Sequence, residues 1–376
     1  MLGWALLVDS LPLYPLYALL FADSGLSDAQ ISGLFAIWST VGFVAEVPSG
    51  ALADRFGRRR CLVVAALLQA VGFAVWTAWP SFVGFALGFV LWGLGGALTS
   101  GSREALLYDG LVAVGAEAEY VRVNGWVSAA TLLAGLPAAG GATVLYAVGG
   151  YELAGWTSVG VLLVASVLAA RLPEPAVTDD GAATVDPGYR ATLRAGLVAA
   201  AARAGLPALL VAVALVDGFD AIEEYFGLVT AGLEVPTGLV PVAMLPITLV
   251  GALGAGLGGR VGGLRPIRLA LLLGAGMGLL AAVSLVPHPV ALAGVAVFYG
   301  TYRAVVVVVD ARLQQRIDSR CRATVTSVAA LGSEVSCFAV YGAWGIGGLP
   351  ATAAFGLLLA VTLPWLLAVP SRVATR

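Results

Sequence analysis

Three carboxylates in one apolar run are the most telling interior feature of this sequence. Asp217, Asp220 and Glu224 lie at i, i+3 and i+7, on one face of a helix. Ionisable groups inside a membrane-length run are costly and normally line a cavity. A carboxyl group in such a place can take up and release a proton. Asp9 and Arg303 are isolated charges inside two other apolar runs. The chemistry expected is therefore proton exchange beside a polar cargo. The alternative is that Glu223 and Glu224 reach the outer interface and that Asp217 is a structural partner of Arg303. No Cys/His metal cluster, nucleophile elbow or dinucleotide fingerprint is present, and one histidine cannot build a histidine-based site. No metal, cofactor or nucleic acid is expected.

The elements that hold these residues follow from composition. The chain has 376 residues, of which 60% are hydrophobic and 11% charged, with mean hydropathy +0.96. Soluble domains run nearer a quarter charged, so this chain belongs in a bilayer. A spanning helix needs roughly 20 apolar residues. Twelve spans are predicted, at about 2–22, 29–52, 61–79, 82–106, 124–147 and 152–171, then 205–229, 236–259, 267–286, 289–310, 323–345 and 350–369. The expected fold is an all-α membrane protein in two six-helix halves, residues 1–171 and 204–376. Residues 172–203 form a polar linker whose last part, from Tyr189, reads as an amphipathic surface helix with Arg190, Arg194 and Arg203. The halves echo each other weakly. Gly50-x-x-x-Asp54-x-x-Gly57 matches Gly256-x-x-x-Arg260-x-x-Gly263, and Gly101-Ser-Arg103 to Asp109 matches Gly300-Thr-Tyr-Arg303 to Asp310.

All twenty basic residues are arginine. Without lysine there is no P-loop, so ATP hydrolysis by that route is excluded. With both termini placed in the cytoplasm, every loop arginine falls inside, and Asp23, Asp28, Glu152 and Glu234 fall outside. A multi-pass protein of the cell membrane, monomeric and embedded in lipid, is the expectation. Cys61, Cys321 and Cys337 are expected as free thiols.

Between spans 2 and 3 the chain reads Gly50-Ala-Leu-Ala-Asp54-Arg55-Phe-Gly57-Arg58-Arg59-Arg60. This closely resembles the G-x-x-x-D-R-x-G-R-R signature of the major facilitator superfamily. The resemblance extends to the helix count, the two halves and Arg322-Ala-Thr324 at the start of span 11. It implies a gating role for Gly50, Asp54, Arg55, Gly57, Arg58, Arg59 and Asp109. The acid at 54 would meet the N-terminus of span 11, and Arg58 or Arg59 would pair with Asp109. The plainer reading is a positive-inside anchor. The resemblance also implies that spans 1, 4, 7 and 10 line a central cavity, which would put Asp9, Asp217, Asp220, Glu224 and Arg303 around the same space. Tyr14, Tyr17, Phe219, Tyr225, Tyr299 and Tyr302 lie on those spans or at their ends. Glu46 and Glu334 are read as pairing between the halves.

In span 5, Pro137, Gly140 and Gly141 partly resemble the G-P-x-x-G-G element of multidrug/proton antiporters in the superfamily, with Leu136 in place of the first glycine. Physically, a proline and two glycines kink a helix. The function expected is proton-coupled efflux of a small amphiphilic molecule, by a secondary transporter that is not an enzyme. The alternatives are a metabolite uptake symporter and a non-transporting membrane sensor.

Overall fold

The computed structural model describes residues 1–174, 205–317 and 322–368. The expected surface helix from Tyr189 to Arg203 lies outside them, as do Cys321 and the C-terminal arginines.

The described residues are helical, without strands. In chain order the helices are α1 (Leu2–Asp9), α2 (Tyr17–Asp23), α3 (Asp28–Phe56), α4 (Arg58–Ala78), α5 (Phe82–Ala113) and α6 (Tyr120–Ala170). Then come α7 (Leu206–Gly218), α8 (Phe226–Gly232), α9 (Val240–Val261), α10 (Pro266–Val283), α11 (Leu292–Arg316) and α12 (Arg322–Leu367). Among the described residues, 8 stretches are long and apolar enough to cross a membrane. Two of these are double passages. α6 breaks at Gly149–Gly150 and α12 at Gly347–Gly348. With α3 and the broken passage from Leu206 to Gly232, this makes about twelve passages, as an all-α fold of this kind requires.

The two breaks share one geometry. Gly149 and Gly150 have φ/ψ of −149/23 and 60/−154, and Gly347 and Gly348 have −156/25 and 57/−145. A positive φ is freely open to glycine and strained for other residues. The same two-glycine turn therefore ends the fifth and the eleventh passage, an internal repeat beyond those visible in the loop motifs.

Local signals set the other ends. Ser27 caps α3 in a reciprocal box with Gln30, and the Ser81 side chain accepts from the Gly84 amide at the start of α5. Pro266 opens α10. The first passage breaks between Ser10 and Leu13, before a 3₁₀ turn at Tyr14–Leu16. The Leu13 amide freed there donates to Ser158 Oγ on α6 at 2.9 Å.

The chain divides into two compact units, Met1–Ala182 with Pro236–Val242, and Ala183–Val235 with Ala243–Arg376. In the first, α4 packs on α5 and α6, α3 on α5, and α1 on α6. Its core is aromatic: Trp76 lies among Phe21, Phe73, Phe89 and Trp92, and its indole N–H donates to the Phe85 carbonyl at 2.9 Å. In the second, α7 and α10 pack on α12, and α11 packs on α10 and α7. Large apolar side chains such as Ile346, 88% exposed, point outward, as lipid contact requires.

Candidate functional site

The acidic stretch of the seventh passage does not continue as an α-helix. α7 stops at Gly218, and Phe219–Tyr225 form a 3₁₀ helix. At three residues per turn, positions three apart eclipse. Asp217, Asp220 and Glu223 thus come into line, and Glu224 rotates off. The charges follow this geometry. Asp220 and Glu223 both lie within electrostatic range of Arg303. Glu224 lies instead within range of Cys337 on α12. The i, i+7 relation of Asp217 and Glu224 assumed an α-helix, and the 3₁₀ turn removes its basis.

Arg303 on α11 donates through a terminal nitrogen to Asp220 Oδ2 at 2.6 Å. The Tyr299 hydroxyl donates to Asp220 Oδ1 at 3.2 Å, and the guanidinium lies 5.9 Å from the Tyr299 ring centre. The fully buried Tyr302 donates to the Val216 carbonyl at 2.7 Å, tying α11 to α7. The ion pair expected for Asp217 is therefore made by Asp220.

Asp217 meets a different partner. Its carboxyl group lies within electrostatic range of Asp310, two turns along α11 from Arg303. Ionised carboxylates only accept, so a hydrogen bond between these two requires one shared proton. Asp217 Oδ1 is buried and has no hydrogen-bond partner. The result is a two-rung ladder between α7 and α11, a carboxyl pair below an ion pair. Asp310 stands out in the sequence only as the repeat counterpart of Asp109.

In the first unit, Asp9 ends α1 and lies within range of Thr131 on α6 and Arg103 on α5. A carboxylate at a helix C-terminus opposes the helix dipole. Asp9 is thus not placed there for the helix. Glu46 accepts from the Ser100 hydroxyl at 3.1 Å, a contact within this unit.

Arg58 forms an ion pair with Asp109 and donates to the Ala105 carbonyl at 3.2 Å. Of the two arginines proposed for Asp109, Arg58 makes the contact. Arg59 turns to Glu174 at the start of the linker. The Arg59 amide donates to Glu174 Oε1 at 3.0 Å, and its Nε lies 3.5 Å from Oε2. Gly57 has φ +91, and a Cβ there would stand 2.7 Å from Glu174 Oε1. The backbone requires that glycine, whereas the carboxylate is the far end of a flexible side chain and can give way. Arg55 is exposed and lies over the Phe56 ring. Gly50 has open space around it, and the Asp54 side chain lies outside the described set. Glu174 was not visible as a site residue because only the fold brings it to the turn.

Pro137 lies inside α6, but the break falls at Gly149–Gly150. Gly140 is unobstructed, and Gly141 faces Pro12 at 3.6 Å from its would-be Cβ. That break ends the fifth passage, so Pro137, Gly140 and Gly141 all lie within it. Cys61 and Cys337 are free. Among the described residues no group of His, Cys, Asp or Glu could hold a metal.

A helical bundle of about twelve membrane passages, with half-buried paired charges inside a unit, is the architecture of a multi-pass membrane transporter. The chain belongs to the Major Facilitator Superfamily, whose model matches residues 1–341. Two uncharacterized MFS-type transporters of Mycobacterium tuberculosis, MT2531 (strain CDC 1551 / Oshkosh) and Rv2456c (strain ATCC 25618 / H37Rv), are each 31% identical over 175 residues. That match takes in 46% of this chain and spans 41% of those relatives' length. Among solved structures, the nucleoside transporter NupG matches with TM-score 0.73 at 10% identity, over 97% of this chain and 96% of that one. A D-xylose-proton symporter matches with TM-score 0.67 at 16% identity, over 96% and 95%. The POT family transporter PepTSo matches with TM-score 0.69 at 14% identity, over 97% and 96%. At these identities the likeness is one of fold. These neighbours are membrane transporters, not enzymes.

Proposed function

We propose that this protein is a secondary transporter of the cell membrane that exchanges protons for a small amphiphilic molecule, in the direction of export. The observation that carries this reading is the ladder between α7 and α11, where Asp217 lies within range of Asp310 and Asp220 holds Arg303. Such groups inside a membrane passage are costly unless used. Asp217 is the proton carrier in this account. When Asp217 and Asp310 share a proton the rung is closed, and when the proton leaves, two like charges face each other and the rung opens. The Arg303–Asp220 pair holds the passages in register meanwhile. The Arg58–Asp109 pair, with Asp54, acts as the cytoplasmic latch, and both termini lie in the cytoplasm.

The partial Pro137, Gly140 and Gly141 match supports antiport. A screen in proteoliposomes loaded with a pH-reporting dye tests the direction. In antiport, a compound entering from outside expels a proton and makes the lumen alkaline. In symport it carries a proton inward and makes the lumen acid. Alkalinisation by at least one amphiphile is expected. Acidification assigns uptake, and a lumen pH that follows no compound assigns a non-transporting membrane protein.

A further inference from the structure

Arg103 is the repeat counterpart of Arg303, and the two are held very differently. Arg303 is satisfied by Asp220 at 2.6 Å. Among the described residues Arg103 makes one ion pair, with Glu104 at 3.6 Å, and that side chain is 58% exposed. Neighbours in sequence do not face each other on a helix, and an exposed pair of this kind contributes little. Arg103 Nε is buried and has no hydrogen-bond partner. A buried donor left unpaired costs stability and calls for an explanation.

The surroundings supply one. Asp9 from α1 and Thr131 from α6 lie within range of each other, and Asp9 within range of Arg103. Ser10 Oγ, beside Asp9 in the chain, is also buried without a partner. Three passages thus bring a positive fork, a carboxylate and the Thr131 hydroxyl to one place, with donor capacity unused. A guanidinium presents several donors in a fixed plane, a shape that fits a carboxylate or phosphate. Asp9 would take a hydroxyl or ammonium on the same molecule and would repel a second anionic group.

We propose that Arg103, with Thr131, binds a carboxylate or phosphate group of the transported molecule, while Asp9 faces another part of it. Calling this ligand the cargo rests on the transport reading. The binding is tested without flux, so its failure leaves the proton-exchange result untouched.

The test is thermal unfolding of the purified full chain in detergent, with benzoate, phenyl phosphate and the neutral isostere benzamide as probes. Benzoate or phenyl phosphate should raise the midpoint in a concentration-dependent way, and benzamide should not. In Arg103→Gln the apparent Kd should rise roughly tenfold or more. Asp9→Asn should tighten benzoate binding by removing a repelling charge, an effect that a purely structural Arg103 does not predict and that stays readable if Arg103→Gln fails to fold. Equal shifts with benzoate and benzamide, no shift with either anion, or shifts that ignore both substitutions overturn the proposal. A shift seen only on adding phosphatidylglycerol, and lost in Arg103→Gln, overturns the cargo assignment and makes the site a lipid-headgroup site.

Discussion

Arg303 and Asp220 are joined at 2.6 Å between α11 and the 3₁₀ turn that follows α7. This contact leaves Asp217 to meet Asp310 and so separates two tasks. One rung holds a fixed ion pair, and the other can hold or lose a proton. A proton carrier tied directly to an arginine would be harder to load. Here the arginine is engaged one turn away.

The fixed rung predicts non-additive mutations. Arg303→Gln strands the Asp220 charge, and Asp220→Asn strands the Arg303 charge. Each should lower stability by roughly 1–3 kcal/mol, the worth of a hydrogen bond to a charged group. The double substitution removes both charges, so it should cost less than the sum. Thermal unfolding in detergent of the four proteins measures the coupling. Strict additivity would show that the pair is not a unit.

The charged turn predicts a backbone effect. Gly57→Ala forces a side chain onto φ +91 and into the Glu174 carboxylate. A cost of roughly 1–3 kcal/mol is expected from the strained backbone. Glu174→Ala removes the collision but not the strain, so adding it to Gly57→Ala should restore only part of the loss. Full recovery in the double variant would assign the whole role of Gly57 to space rather than to conformation.

Arg58 and Arg59 should also separate in function. Arg58 pairs with Asp109 on α5, whereas Arg59 pairs with Glu174. Arg58→Ala and Asp109→Asn should therefore give the same transport defect, with normal protein abundance, and combining them should add little. Arg59→Ala should resemble Glu174→Ala. Rates of pH-driven flux normalised to protein in the vesicles provide the comparison. If Arg59→Ala rather than Arg58→Ala matches Asp109→Asn, the latch is wired differently.

The bundle was legible in the sequence because membrane length and arginine placement are strong constraints, and the Gly50 to Arg60 turn has fixed spacing. Arg303 and Asp220 were legible as intramembrane charges. Their pairing was not, because the register beyond Gly218 depends on a local change from α to 3₁₀ geometry. That change exchanged Glu224 for Glu223 on the Arg303 side. Asp310 and Glu174 reach their partners only through packing across long stretches of chain, which no local pattern encodes. The double-glycine breaks at Gly150 and Gly348 were present in the sequence, but glycine is so common here, 49 residues, that two more pairs did not stand out.

The central claim is that Asp217 carries the coupled proton. The most direct test is Asp217→Asn in proteoliposomes, with pH-driven flux and substrate exchange measured side by side on a compound found in the lumen-pH screen. The asparagine keeps the shape and cannot titrate. The account predicts loss of pH-driven flux with exchange retained. Flux in Asp217→Asn with the wild-type dependence on the pH gradient would contradict it.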